Sequence, residues 1–354
     1  MVRRLLRTLR HLGTAVLLLV GMLCAGEVAL RVARVQGASF AQTIVLPSRH
    51  CYLEMQPHLV IESEGQRFAT SSLGTRGPEP TLPKPTGQLR VLVLGDDRTL
   101  ALHLPREATY CSQLEASLRT QLDRPVEVIN AGVPGGCPLT AALQFRHRLH
   151  GLQPDVVVLA LDVSDVADDL HVRPQLLVDS AGRPVACPHP ATRARPRTFT
   201  SELAMVDLAG RLTTQRWMSA TSPVRSDLLC RQRQTEWAAD PTAWAIPLAN
   251  MLRPILTLRD EVLATGAAFQ LTALPTPESL QPGGANPWHV VGQFALHEGV
   301  EWFNPVQGLA RQSQQGDLFE TTAEPESGCG PAARLTATAH RQLAEALRLH
   351  LTRQ

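Results

Sequence analysis

The sequence has very little net charge and almost no lysine. Lys84 is the only lysine among 34 basic residues, and 32 acidic residues leave a net charge of +2. A near-neutral chain offers no electrostatic surface for a nucleic acid, so we expect no nucleic-acid partner. Hydrophobic residues make up 44% and charged residues 19%, values that exclude extended disorder, collagen and coiled coils. A chain of 354 residues is long enough for one large globular domain or two small ones.

Closely spaced cysteine pairs are also absent. None of the seven cysteines has the CxxC spacing that is typical of zinc sites, so we predict neither a metal nor another cofactor. Cys24 lies in an apolar N-terminal run, and the remaining six cysteines are an even number. They are compatible with three disulfides if that part of the chain is exported to an oxidising compartment.

The N-terminus has the charge pattern of a membrane anchor. Residues 1–11 contain four arginines and no acid, and an uncharged apolar run follows over 12–26. This run is long enough to span a bilayer if Glu27 and Arg31 extend to the membrane surface. We therefore predict a single transmembrane helix over 12–33, with the first eleven residues in the cytoplasm and the main domain outside it. A cleaved signal peptide and a buried helix are the alternatives.

Beyond the N-terminus, a proline-rich segment precedes a segment of alternating patterns. Residues 36–87 are punctuated by prolines and indicate a stalk that leads into a domain. From 88 to 351, continuous apolar runs of strand length alternate with helical periodicity, which is typical of βαβ units around a parallel sheet. An arginine- and proline-rich stretch over 171–245 interrupts this rhythm and is predicted to be an insertion. We expect a three-layer α/β/α domain whose ligand site lies at the carboxyl ends of the strands.

Four sequence blocks lie at those carboxyl ends. They read VLVLGDD at 91–97, EVINAGVPG at 127–135, PDVVVLALDVSD at 154–165 and PAARLTATAH at 331–340. Together with SLGTRGPE at 72–79, they resemble in order the sequence blocks of the SGNH hydrolases, also called the GDSL family. The resemblance spans roughly residues 68–351 and implies a mostly parallel, flavodoxin-like sheet.

The resemblance also implies which residues occupy the catalytic positions of the family. In the family a serine attacks an ester, a histidine oriented by an aspartate is its base, and a glycine and an asparagine complete the oxyanion hole. Here Asp97 stands at the position of the serine, Arg334 at that of the histidine and Pro331 at that of the aspartate. Gly132 stands at the position of the glycine and Ser164 at that of the asparagine. A carboxylate repels the anion that forms during ester hydrolysis, and a guanidinium stays protonated and cannot act as a base. The substitutions therefore predict a chain without ester hydrolase activity.

The replaced positions predict a binding site where the family has a catalytic one. We expect Asp97, Gly132, Ser164 and Arg334 to contribute to it, with Asp97 and Arg334 forming an ion pair that narrows the former catalytic centre. The expected ligand is a cell-envelope glycan, an acylated small molecule or a partner protein. An ester hydrolase or O-acyl transferase that uses other residues is one alternative function, and a structural envelope protein is the other.

The resemblance also predicts a disulfide, and the sequence offers a second candidate pair. The family fold places the loops that hold Cys137 and Cys329 at one edge of the sheet, so we predict a bond between these cysteines. Cys187 and Cys230, both within the insertion, are the next pair. The resemblance also implies that His340 is a packing residue near the start of the last helix.

Overall fold

The computed structural model describes the chain in several ranges. These are residues 44–192 except 64–65, 244–280, 288–309 except 307, 318–321 and 333–352, with residues 11, 13–15, 18 and 21–26 near the N-terminus. The chain forms two compact units, one of residues 1–43 with 194–222 and one of 44–193 with 223–354.

The first unit is described only at helical residues between 11 and 26. Within the described part of the chain, no helix is both long enough and apolar enough to span a bilayer. The transmembrane helix predicted over 12–33 lies in large part outside the described residues.

The second unit contains strands and helices in alternation. Its strands are β1 (Val45–Pro47), β2 (Leu53–Met55), β3 (Val60–Ser63), β4 (Gln66–Ala69), β5 (Leu89–Gly95), β6 (Val126–Gly132), β7 (Val156–Leu161), β8 (Leu177–Val178), β9 (Pro184–Ala186), β10 (Ala268–Ala273), β11 (Trp302–Phe303), β12 (Phe319–Thr321) and β13 (Ala333–Leu335). Its α-helices are α1 (Asp97–Leu100), α2 (Tyr110–Gln121), α3 (Pro138–Gln144), α4 (Asp165–Val172), α5 (Ala245–Ala264), α6 (Trp288–His297) and α7 (Ala337–Leu351).

Five of these strands form one parallel sheet, in the order β6, β5, β7, β10, β11. Counted along the chain, this is the order 2-1-3-4-5 of flavodoxin-like folds. Residues 91–94 of β5 are all 0% exposed, because helices cover both faces of the sheet. Helices α3 to α6 contribute to the core on one face, and α2 and α7 to the core on the other. The predicted three-layer α/β/α fold is therefore confirmed.

The segment predicted to be a stalk belongs in large part to the domain. From Ile44 onward it lies in the same compact unit as the sheet and forms the antiparallel pairs β1–β2 and β3–β4. Its buried side chains Ile44, Met55 and Phe68 share a hydrophobic cluster with Leu100 and Val133. The prolines and glycines of this segment therefore mark turns in a packed region, and the domain includes residues from 44 onward.

The described part of the predicted insertion packs back onto the domain. Strands β8 and β9 form an antiparallel pair, and Cys187 directly after β9 pairs with Cys51 in an isolated parallel bridge. Residues 193–243, which include Cys230, lie outside the described residues. Cys329, the predicted partner of Cys137, also lies outside them, so both predicted disulfides stay predictions.

Candidate functional site

The strand order reverses between β5 and β7, and the candidate site lies at the carboxyl ends of these two strands. An open α/β sheet leaves a crevice at such a point, because the connections on either side run to opposite faces. Strand β5 is followed by Asp96 and by the short helix α1, and β7 is followed by Asp162. Asp96 caps α1, because its Oδ1 accepts hydrogen bonds from the backbone N–H groups of Arg98 (3.0 Å) and Thr99 (3.4 Å).

This edge of the sheet is acidic. Asp96, Asp162 and Asp165 are each at most 2% exposed, whereas Asp97 is exposed to solvent. Burial, followed by the negative charges of neighbouring aspartates, raises the pKa of Asp96 and that of Asp165. Arg98 places its Nε 3.1 Å from Asp162 Oδ2 and forms an ion pair at this edge that the sequence analysis missed. No group of three or more histidine, cysteine or acidic side chains among the described residues is arranged to hold a metal ion.

Three of the predicted site residues gather around the start of α1. Asp97 begins this helix, and the hydroxyl of Ser164 donates to Asp162 Oδ2 at 2.9 Å and lies 3.5 Å from Asp96 Oδ2. Gly132 packs against the same helix so closely that a Cβ there would lie 2.5 Å from Leu100 N. Only a residue without a Cβ can lie so close to the helix, which explains the glycine at this position of the block.

The N–H of Gly132 is not an oxyanion donor in this structure, because it donates to Asn130 Oδ1 at 3.0 Å. Gly135 lies in the turn that follows β6, with a φ of +67°. Its N–H has no hydrogen-bond partner among the described residues. Gly135 is therefore the better candidate for a backbone donor at this edge. The signal that could have found it is the second glycine of the EVINAGVPG block.

Arg334 reaches the site from the C-terminal part of the chain. It lies on β13 and is the cross-strand partner of Glu320 on β12. Asp97 and Arg334 both influence the pKa of the His103 imidazole, which places both charges near the same ring. The ion pair between them stays a prediction, and so does the role of Pro331, which lies outside the described residues. Because Asp97 is exposed, such a pair would lie at the surface.

His103 is a further residue that the sequence analysis missed. Its Nε2 lies 2.9 Å from the carbonyl oxygen of Leu335 and 3.8 Å from Glu320 Oε1, and its side chain is 14% exposed. Burial lowers the pKa of His103, and Arg334 adds to this effect, while the Leu335 carbonyl, Glu320 and Asp97 oppose it. A neutral imidazole therefore joins the loop after α1 to the β12–β13 hairpin.

His340 has the packing role that the resemblance implies. It is 0% exposed on α7, and its Nδ1 accepts a hydrogen bond from the N–H of Tyr110 at 3.0 Å. The Tyr110 ring stacks on the imidazole at a centroid distance of 5.6 Å. Burial lowers the pKa of His340 to about 3, so the ring is a neutral part of the core between α2 and α7.

A small cleft opens beside the start of α1. Residues 51–53 form one wall, and the turn 133–136 with Gly95 forms the other. Its interior measures about 10 Å³, room for about one water molecule. Tyr52 has a φ of +66°, which is strained for an aromatic residue, and its hydroxyl lies 3.0 Å from His171 Nε2. The end of the β1–β2 loop thus forms one wall of this cleft.

No protein-family model matches the chain, and no curated protein matches it. Solved structures do match it. A G-D-S-L family protein from Desulfitobacterium hafniense DCB-2 is 11% identical, with 73% of this chain and 98% of that chain covered at a TM-score of 0.39. TesA is 16% identical, with 75% and 98% covered at a TM-score of 0.40. A catalytic mutant of Axe2, an acetylxylan esterase from Geobacillus stearothermophilus, is 12% identical, with 73% and 92% covered at a TM-score of 0.40.

The family that the sequence blocks resemble is thus represented among the solved structures that match.

Proposed function

We propose that the chain is a membrane-anchored, extracytoplasmic SGNH-like domain that binds a hydroxyl-rich glycan of the cell envelope and does not hydrolyse esters. The observation that supports this most strongly is the exposed carboxylate of Asp97 at the position of the family nucleophile. The four arginines before the apolar N-terminal run support the anchor and its orientation.

The charges at the site oppose ester hydrolysis. An oxyanion would form beside the exposed carboxylate of Asp97, and the charge of Arg98 is already paired with Asp162. Arg334 keeps its proton and accepts none from a nucleophile. Loss of a nucleophile or base alone lowers turnover by about a million-fold in a hydrolytic triad.

The same groups suit a neutral, hydroxyl-rich ligand. A carboxylate accepts hydrogen bonds from sugar hydroxyls, and such charge-assisted bonds are stronger than neutral ones. Asp97 supplies an exposed carboxylate, Ser164 a hydroxyl and Gly135 a backbone N–H. The exposed carboxylate of Asp97 disfavours anionic ligands, so we expect a neutral glycan.

Binding of the full chain to an array of neutral and anionic glycans tests the proposal. We expect retention of a neutral oligosaccharide and a loss of about tenfold in affinity for Asp97→Asn, because a hydrogen bond to a charged group contributes about 1.5–3 kcal/mol. The matched control is Asp260→Asn, which changes an exposed aspartate on α5 and should leave binding intact. Absence of any glycan binding, or equal binding by Asp97→Asn and the unchanged chain, contradicts the proposed ligand.

A second candidate function, ester hydrolysis with a different base, is favoured by one observation. The imidazole of His103 is half-buried, and burial lowers its pKa. The charges of Asp97 and Arg334 also act on this pKa. A neutral imidazole is a competent general base. Ester turnover by the full chain that His103→Gln abolishes would establish this function.

A further inference from the structure

Three buried cysteines lie together beside the cleft, and one of them, Cys51, forms part of its wall. Cys51, Cys137 and Cys187 share one hydrophobic cluster and are 2%, 3% and 0% exposed. All three are thiols in this structure. Cys111, a fourth buried thiol, belongs to a different cluster on the other face of the sheet.

Backbone pairing places two of the three directly opposite each other. Cys51 and Cys187 are partners in a parallel bridge. The N–H of Tyr52 donates to the Cys187 carbonyl at 2.7 Å, and the N–H of Cys187 donates to the His50 carbonyl at 2.7 Å. Paired strands lie about 4.8 Å apart. This separation falls within the range of about 4.4–6.8 Å between Cα atoms that a disulfide requires.

We propose that Cys51 and Cys187 form a disulfide in the exported protein. This bond would tie the first hairpin, which forms a wall of the cleft, to the β8–β9 hairpin. It assigns to Cys187 a partner different from Cys230. The proposed bond rests on the proposed extracytoplasmic location in one respect only, because that location would supply the natural oxidant.

The chemistry is a thiol–disulfide exchange. One cysteine thiolate attacks a disulfide oxidant and forms a mixed disulfide, and the second thiolate then displaces the oxidant's other sulfur. The two thiols lose two protons and two electrons in total, and the oxidant is reduced to two thiols. Burial raises the pKa of Cys51 and raises that of Cys187 to about 12, so exchange is slow in the folded protein and the bond forms while the chain folds.

Peptide mapping of the full chain tests the bond. For the experiment, the chain is expressed with export to an oxidising compartment. The purified protein is then alkylated in denaturant without reductant and digested with trypsin. Cleavage after Arg49 and Arg67 isolates Cys51, and cleavage after Arg148 and Arg193 isolates Cys187. We expect these two peptides to be cross-linked and to separate on reduction. Alkylation of both cysteines, or a link from either one to another cysteine, overturns the proposal.

A second experiment tests the bond independently of where the protein is located. The reduced full chain is unfolded and refolded with oxidised glutathione as the oxidant. The same cross-link is expected, whether or not the chain is exported in its source. Glutathione adducts or alkylated thiols at both positions overturn the proposal.

Two matched variants complete the test. Cys51→Ala should abolish the cross-link and lower the melting temperature of the oxidised chain by roughly 5–10 °C, as expected for the loss of a long-range disulfide. Cys111→Ala removes a thiol that is buried to a similar degree and should leave the cross-link intact. Equal cross-linking in both variants overturns the assignment of Cys51.

Discussion

Asp96 shows how one residue combines a structural role with an unfavourable charge. Its carboxyl oxygen caps α1, and the side chain is 1% exposed. Burial is the largest cause of its raised pKa, and the charges of Asp97, Asp162 and Asp165 add to it. A protonated Asp96 keeps one carbonyl oxygen for the cap and removes a negative charge from the interior.

This raised pKa predicts how stability changes with pH. Below the unfolded pKa of about 3.9, the carboxyl is protonated in both states and its contribution is fully present. As pH rises towards the folded pKa, the unfolded chain releases the proton first, so stability falls by up to about 1.4 kcal/mol per pH unit. Asp96→Asn keeps the capping oxygen and removes this titration.

The free energy of unfolding, measured in urea between pH 4 and pH 7, should therefore fall less in Asp96→Asn than in the unchanged chain. Asp260→Asn is the control, because it makes the same substitution at an exposed aspartate on α5. A pH dependence that is identical in the unchanged chain and Asp96→Asn would show that Asp96 titrates normally.

The charges of Asp97 and Arg334 provide a second test at this scale. We expect Arg334→Ala to destabilise the chain more than it destabilises the Asp97→Ala variant, with a coupling of about 0.3–1 kcal/mol because Asp97 is exposed. Glu320 is the cross-strand partner of Arg334, so Glu320→Ala measures how much of the effect of Arg334→Ala comes from that neighbour. Strictly additive effects of Asp97→Ala and Arg334→Ala would remove the predicted pair.

At the scale of elements, the short helix α1 depends on a residue far outside it. The Arg76 guanidinium donates to the carbonyl oxygens of Leu100, Ala101 and Leu104, with distances of 2.7 Å to Ala101 and 2.6 Å to Leu104. Burial lowers the pKa of Arg76 to about 10. The segment that resembles the family's upstream block therefore supports the helix that begins with Asp97.

Arg76→Met should lower the free energy of unfolding by about 2–4 kcal/mol, because buried carbonyl oxygens lose their donors. Arg67→Met is the matched control, since Arg67 is exposed in the same segment, and we expect a change within about 0.5 kcal/mol. Chemical denaturation of both variants measures the difference. Equal stability of the two variants would contradict this role for Arg76.

The elements differ in how well the sequence predicts them. Strands β5 and β7 are visible as continuous apolar runs, because both faces of a parallel sheet are buried. Strands β6 and β10 contain polar residues as well and are predicted from their place in the alternation of strands and helices. Strands β1 and β2 have only three residues each, too few to show a period of two, and they were interpreted as a stalk. His103 and the Arg98–Asp162 pair depend on contacts between distant parts of the chain, which no local pattern reports.

At the scale of the whole molecule, the fold gathers residues from distant blocks at one sheet edge. The 2-1-3-4-5 order places the ends of β5 and β7 side by side, so Asp96 and Ser164 approach each other although they are 68 positions apart. The site that we propose for ligand binding is thus assembled from blocks that lie far apart in the sequence.

The proposed orientation in the membrane makes a prediction for the entire chain. A reporter that is active only in the periplasm, fused after the last residue, should be active. Replacing the four N-terminal arginines by glutamates should reduce that activity, because basic residues hold the N-terminus in the cytoplasm. Activity of a cytoplasm-specific reporter alone would contradict the orientation.

We expect no ester hydrolysis at the ends of β5 and β7, and the rate at which the purified full chain hydrolyses p-nitrophenyl acetate measures it. The rate should be the same for the unchanged chain, for Asp97→Ala and for heat-denatured protein, because the side chain of Asp97 cannot form an alkoxide. Turnover well above the denatured control that Asp97→Ala abolishes would contradict this expectation.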